Sequence, residues 1–133
     1  MFGDKNNIYG QFNLSIDEKN RIFLPPSTNR EIGEELVLSY DKDLEIFKIF
    51  TLEKFDEILE NLSFKIEDAR TKDEEIYYKK KYLEFAKSIL RCSKVDTHGR
   101  ILIGNIFKPD KKVLAIGFKD HLALQRYNTE KKK

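Results

Sequence analysis

Tryptophan is absent from this chain, and cysteine occurs once, at Cys92. A single thiol excludes an internal disulfide and any zinc site built from several thiolates. A buried, inert thiol is the expectation for it. Histidine is scarce too, with only His98 and His121, and there is neither an HExxH spacing nor a Gly-rich phosphate loop. Cys92, Asp96 and His98 could be imagined as a catalytic cluster. However, Cys92 and His98 are expected on different elements, and the matching stretch near the N-terminus has no counterpart to them. The expectation is therefore a protein that is not an enzyme, with no cofactor, no metal and no small-molecule substrate. Apolar runs are short: none approaches the roughly 18 residues of a membrane-spanning helix. The opening MFGDKNN lacks the apolar core and small-residue cleavage site of a secretory signal. A cytoplasmic location with no membrane partner is expected.

What is present fits one compact domain of 133 residues, with 40% hydrophobic and 36% charged residues. The net charge of +2 says little by itself, but its distribution is uneven. From Ser93 onward there are ten Lys/Arg against four Asp/Glu, whereas the preceding residues carry fifteen against nineteen. The basic end includes a terminal EKKK, expected to be a solvated tail at 128–133.

The most informative feature is a repeat. SIDEKNRIFLP at 15–25 places Asp17 four positions before Arg21, and KVDTHGRILIG at 94–104 places Asp96 four positions before Arg100. Both the aspartates and the arginines are 79 positions apart (96 minus 17, 100 minus 21). Around each motif the pattern is that of short strands. Phe12, Leu14 and Ile16 alternate with polar residues, RIFLPP is strand-like until Pro25 and Pro26 stop it, and two more strands are expected at 36–40 and 44–50 around a turn at 41–43. The second copy offers a strand near Lys94 and Val95, then RILIG, then KVLAIGFKDHLALQRY. With one residue deleted, Tyr40, Leu44 and Ile46 match Phe118, Leu122 and Leu124. Four short strands leave an apolar face in water, which pairing with a twin would cover. One barrel with internal pseudo-twofold symmetry is expected.

Between the copies the period becomes helical. Thr51 is a plausible N-cap for LEKFDEILENL, where Leu52, Phe55, Ile58, Leu59 and Leu62 share a face. A second helix is expected over about 73–91, with Ile76, Leu83, Ala86 and Leu90 on one face and Lys79 to Lys81 opposite or near it. Both stripes should pack on the barrel or on each other.

Between Ile16 and Arg21 there is room only for a tight turn. Asn20 and Gly99, the residues just before the two arginines, are types that tolerate positive φ. Asp17 and Asp96 can accept backbone N–H bonds within the turn or bridge the neighbouring guanidinium. One reading of the repeat is thus purely structural, with Asp fixing the turn and Arg pairing with Asp. A functional reading fits Arg21 and Arg100 better. Lys19 and Asn20 accompany the first, and Lys94, Thr97 and His98 the second, and a rigid turn offering several donors suits phosphate and base-edge contacts.

These residues resemble the MraZ family of bacterial transcription regulators, related to the AbrB-type swapped-hairpin DNA-binding domains. The family's duplicated Asp-x-x-x-Arg motif is matched by Asp17 with Arg21 and by Asp96 with Arg100. GQFNLSIDEKNR is similar to its opening pattern, Leu24, Pro25 and Arg30 to its Leu-Pro followed by Arg, and GFKDHL to its Gly-x-x-Asp-His-Leu. Similarity spans about 10–127. Departures are Asn20 where the family usually has Gly, Gly104 where Pro is common, the missing tryptophan that members often carry, and a seven-residue leader.

The resemblance implies an α+β, swapped-hairpin AbrB-like β-barrel made of two tandem repeats, 8–50 and 93–127, with a helical insert at 51–92. It also implies a nucleoid-associated homo-oligomer, a closed ring, that binds double-stranded DNA at direct repeats in the promoter of the division and cell-wall gene cluster. The matched turns would be the DNA-contacting element. The alternative is an antitoxin-like module that binds a protein through its helices or tail.

Overall fold

The computed structural model describes residues 10–28 and 30–127. The leader and the basic tail at 128–133 lie outside them. The chain is α+β, with eight strands, two α-helices and one 3-10 turn among the described residues. In the first half these are β1 (Gly10–Ser15), β2 (Arg21–Phe23), the 3-10 turn (Pro26–Thr28), β3 (Glu35–Asp41) and β4 (Ile46–Thr51). Then come α1 (Leu52–Glu67) and α2 (Lys72–Ala86), followed by β5 (Ile89–Lys94), β6 (Arg100–Leu102), β7 (Lys112–Gly117) and β8 (Leu122–Arg126).

Six strands form one antiparallel sheet in the order β1-β7-β8-β4-β3-β5, and β2 pairs with β6 as a separate two-stranded ribbon. Exchanging each strand for its counterpart in the other half reverses this order and leaves it otherwise unchanged. The first strand of each half pairs with the third strand of the other: Leu14 lies opposite Val113, and Ser93 opposite Leu36. The halves are therefore interleaved. Their fourth strands meet in the middle, where Phe47 faces Leu124 and Ile49 faces Leu122.

The main core draws on both halves at matching places. Ile22 and Ile101, Leu24 and Ile103, Leu36 and Val113, Leu38 and Ala115, and Ile49 and Leu124 all belong to one buried cluster, with Val95 and Phe107. Ile22 and Ile101 are register partners, so the ribbon joins that cluster through its central pair. A second, smaller cluster covers the other face of the first half. There Val37 and Phe50 pack against Phe55 of α1, flanked by Ile58, Leu59 and Phe85.

The helices start as their sequences suggest. Thr51 Oγ1 accepts from the Lys54 amide at 3.0 Å, as an N-cap should. Thr71 does the same for Glu74, and three acidic residues in the first turn of α2 suit the positive end of its dipole. The apolar stripes fare unequally: Phe55 of α1 is buried, whereas α2 has no buried residue and leaves Ile76 and Leu83 about half exposed.

Four expectations need correction. The second helix ends at Ala86, not near 91, because Lys87 caps it and the Ser88 hydroxyl bonds the Phe85 carbonyl at 2.6 Å. Leu90 and Arg91 consequently belong to β5 and not to a helical face. Cys92 is exposed, not buried, since β5 is an edge strand and its outward positions lack cover. Finally, the first hairpin's loop runs to Glu45 and β4 starts at Ile46. Asp41 closes the loop by accepting from the Asp43 and Leu44 amides, and Glu45 takes φ 59°. Leu44 is 63% exposed in that loop, while Leu122 is fully buried, so the two are not equivalent. The symmetry of the β4–β8 pairing about Lys48 and Ala123 instead makes Ile49 equivalent to Leu124 and Phe47 equivalent to Leu122.

Candidate functional site

Each Asp-to-Arg stretch folds as a clasp. In the first, the Asp17 amide donates to the Arg21 carbonyl at 2.9 Å and the Asn20 amide to the Asp17 carbonyl at 3.0 Å, which closes the turn. Such closure puts the residue before Arg21 in the left-handed region, and Asn20 has φ 62°. Asp17 Oδ1 accepts from the amides of Lys19 and Arg21, both at 2.9 Å, while Oδ2 accepts from Arg21 Nε at 2.9 Å. One carboxylate thus fixes the turn with one oxygen and orients the guanidinium with the other.

The second clasp repeats this bond for bond. Asp96 Oδ1 accepts from the His98 and Arg100 amides and Oδ2 from Arg100 Nε, each at 2.9 Å. Gly99 occupies the left-handed position at φ 79°. Only Asp, a residue able to take positive φ, and Arg are common to the two turns, so those three suffice for the geometry.

Pairing of β2 with β6 brings the clasps together. Leu24 donates to the Gly99 carbonyl at 3.0 Å and Ile103 to the Asn20 carbonyl at 2.8 Å, tying each turn to the opposite strand. Arg21 Nη1 is 4.0 Å from Asp96 Oδ2, and Arg100 Nη1 is 3.8 Å from Asp17 Oδ2. The result is a square of alternating charge in which all four side chains remain 20–32% exposed. Partial burial pushes both carboxyls up. The backbone and side-chain hydrogen bonds, with the arginine charges, outweigh it and hold Asp17 and Asp96 below the ordinary carboxylate value.

The other candidates are placed unevenly. Thr97 Oγ1 and Arg100 Nη2 each lie 3.3 Å from His98 Nδ1, so Thr97, His98 and Arg100 form one polar edge. Lys19 enters the first clasp only through its amide, and its side chain is exposed. Lys94 ends β5 opposite Glu35, and among the described residues no hydrogen bond or ion pair joins it to the turns. His121 is elsewhere, stacked on Phe118 at 4.8 Å, with Asp120 at 2.6 Å from its ring nitrogen. Burial, partly opposed by Asp120, lowers its pKa.

One neighbour was not anticipated. Phe23 is 54% exposed, and the Arg100 guanidinium sits 5.7 Å from its ring centroid, within cation–π range. Strand alternation puts residues 21 and 23 on the same face, so a signal for it existed. Arg21 has no such ring, because the position matching Phe23 is Leu102.

Chemically, the site presents two guanidiniums whose Nε groups are already used. Among the described residues no acceptor lies within hydrogen-bonding distance of either Nη group of Arg21. Those ends can meet a paired acceptor such as a carboxylate, a phosphate or the edge of guanine. Two arginines against two aspartates leave the square itself without net charge.

A family model described as "MraZ protein, putative antitoxin-like" matches residues 8–88, more than half of the chain. The match takes in β1 to β4 and both helices. It stops just short of β5, and the second clasp lies beyond it.

Proposed function

The chain belongs to the MraZ family, and we propose that it is a sequence-specific DNA-binding transcription regulator whose contact element is the pair of arginine clasps. The observation that carries this reading is the duplicated Asp–Arg geometry, with Nε bonded to Oδ2 at 2.9 Å in both turns and both arginine side chains still partly exposed. An arginine held by a carboxylate loses little further freedom when it binds, so its fork is suited to bidentate contact with guanine O6 and N7. Because the square carries no net charge, it favours directed contacts over general attraction to phosphate. Lys19 and Lys94 at its margins supply phosphate contacts, and Asn20, Thr97 and His98 supply further polar groups along the two turns. Asp17, Asp96 and Gly99 shape the turns and do not touch DNA.

The interleaved halves are read as a swapped-hairpin barrel of two AbrB-like repeats around the helical insert of α1 and α2, with β5, from Ile89, as the first strand of the second repeat. Copies of the chain assemble into a closed ring, each presenting the same clasps. A ring engaging direct repeats gains from effective concentration, so individually weak contacts add up to stable occupancy. Its operator is the set of direct repeats in the promoter of the division and cell-wall gene cluster, and the protein is accordingly nucleoid-associated. Electrophoretic shift of a duplex carrying the chain's own upstream region tests this. A shift at low salt that survives a scrambled competitor is expected, and its absence would overturn the reading.

A second reading, an antitoxin-like module holding a partner protein, is favoured by the family description and by Ile76 and Leu83, exposed on α2. Its sign would be a small protein that co-purifies with the chain, together with no shift of the upstream duplex.

A further inference from the structure

The helical insert does more than cover the sheet. Between α1, α2 and the loop joining β3 to β4 lies a cleft of about 860 Å³, a size ordinary for small-ligand sites. Six lysines line it against three carboxylates. One of the three, Asp41, is already taken by Lys48 at 3.0 Å. Among the described residues the other five lysines, which include Lys65, Lys80, Lys81 and Lys87, have no carboxylate within ion-pair distance. A cleft with this surplus of unpaired ammonium groups is built for an anion.

Its aromatic side chains narrow the class. Tyr40, Tyr77 and Tyr78 line the same cleft, and Tyr77 is 55% exposed. The ammonium of Lys81 rests 5.4 Å from the Tyr77 ring centroid and that of Lys65 5.6 Å from Tyr78, so charge and ring alternate along the wall. A simple phosphate would use the lysines and leave the rings idle, and an aliphatic acidic peptide would do the same. A flat aromatic group carrying phosphate uses both, because tyrosines accept a base by stacking and lysines take phosphate as point charges. The cleft depends on the insert, which occurs once, whereas the clasps occur twice. We infer that this cleft binds a nucleotide, with its base on the Tyr77 and Tyr78 wall and its phosphates on Lys65, Lys80 and Lys81.

The same chemistry could come from a free nucleotide or from a single strand of nucleic acid, and titration calorimetry of the full chain separates them. The probes are ATP, inorganic tripolyphosphate and a 12-residue oligothymidylate, the last with Arg21→Ala/Arg100→Ala protein so that the clasps do not contribute. Saturable binding of ATP is expected, tighter than that of tripolyphosphate. It should weaken at least tenfold in Lys80→Ala/Lys81→Ala, and Tyr77→Ala should lose about tenfold for ATP while tripolyphosphate is unchanged. Binding of the oligothymidylate but not ATP, lost in the same lysine variant, would assign the site to a single strand. The inference is overturned if neither ATP nor the oligothymidylate binds, if tripolyphosphate binds as tightly as ATP, or if the lysine and tyrosine variants leave affinity unchanged. None of these results depends on whether the clasps bind duplex DNA.

Discussion

Val37 and Phe50, on the outer face of the first half, form a buried cluster with Phe55 of the insert, whereas Leu114 and Gln125 hold the matching sheet positions in the second half and are only half-buried. On the ribbon side, by contrast, the halves agree bond for bond in their Asp–Arg clasps. The two halves thus differ where one of them carries a helix and coincide where both carry an arginine. The two halves differ in sequence at the outer face and in the loops and share the three residue types on which each clasp depends.

The largest effect belongs to the half with the helix. Phe55 is 2% exposed and stacks on Phe85 at 4.3 Å, so Phe55→Ala should cost about 3–5 kcal/mol in urea unfolding. A loss below about 1 kcal/mol would mean the insert is not part of the cooperative unit.

Next come the equivalent core positions beneath the clasps. Ile22→Ala and Ile101→Ala remove side chains that are 0% and 2% exposed and face each other across the ribbon. Each should cost about 2–5 kcal/mol, and the two losses should be similar. Strongly unequal losses would show that the halves contribute unequally to the shared core. Since the side chains touch, the double variant should depart from additivity.

A smaller effect comes from acid. Both clasp carboxyls titrate below their ordinary value of 3.8 when folded, so the unfolded chain takes up their protons first. The stability they contribute is present above that value and is lost as pH falls through the depressed folded values. Asp41 is also depressed, burial being outweighed by its bonds to Lys48 and the loop amides, so wild type alone does not isolate the clasps. Melting of Asp17→Asn/Asp96→Asn protein should therefore fall less steeply than wild type as pH drops below about 4. Parallel curves would deny the clasps any part in the acid response.

Much of this was legible in the sequence, and the exceptions have physical causes. The turns could be seen because Asp, Asn or Gly, and Arg each act locally, within five residues. Thr51 was visible as a cap for the same reason. The end of α2 was not, because Leu83, Ala86 and Leu90 keep a helical spacing across a boundary set by Ser88 and by the pairing of β5 with β3. The exposure of Cys92 has no local signal, because burial at an edge strand depends on which neighbours are absent. Leu44 has the spacing of a strand residue, but Asp41 gathers the loop amides and holds it outside β4. The approach of each arginine to the opposite aspartate required β2 to meet β6, a pairing between residues 77 to 81 positions apart that no local rule supplies. The lysine-lined cleft was hidden likewise, since its lysines and tyrosines come from β3, β4, α1, α2 and the loop between the two strands.

Arg21 and Arg100 are proposed to contact DNA through guanidiniums that Asp17 and Asp96 hold in place. Fluorescence anisotropy with a labelled upstream duplex tests this directly, using wild type, Arg21→Ala, Arg100→Ala and the double variant, with circular dichroism to verify folding. Each single variant should weaken binding by about 1–3 kcal/mol, and the double variant should lose discrimination against a scrambled duplex. Unchanged affinity in correctly folded variants would contradict the account.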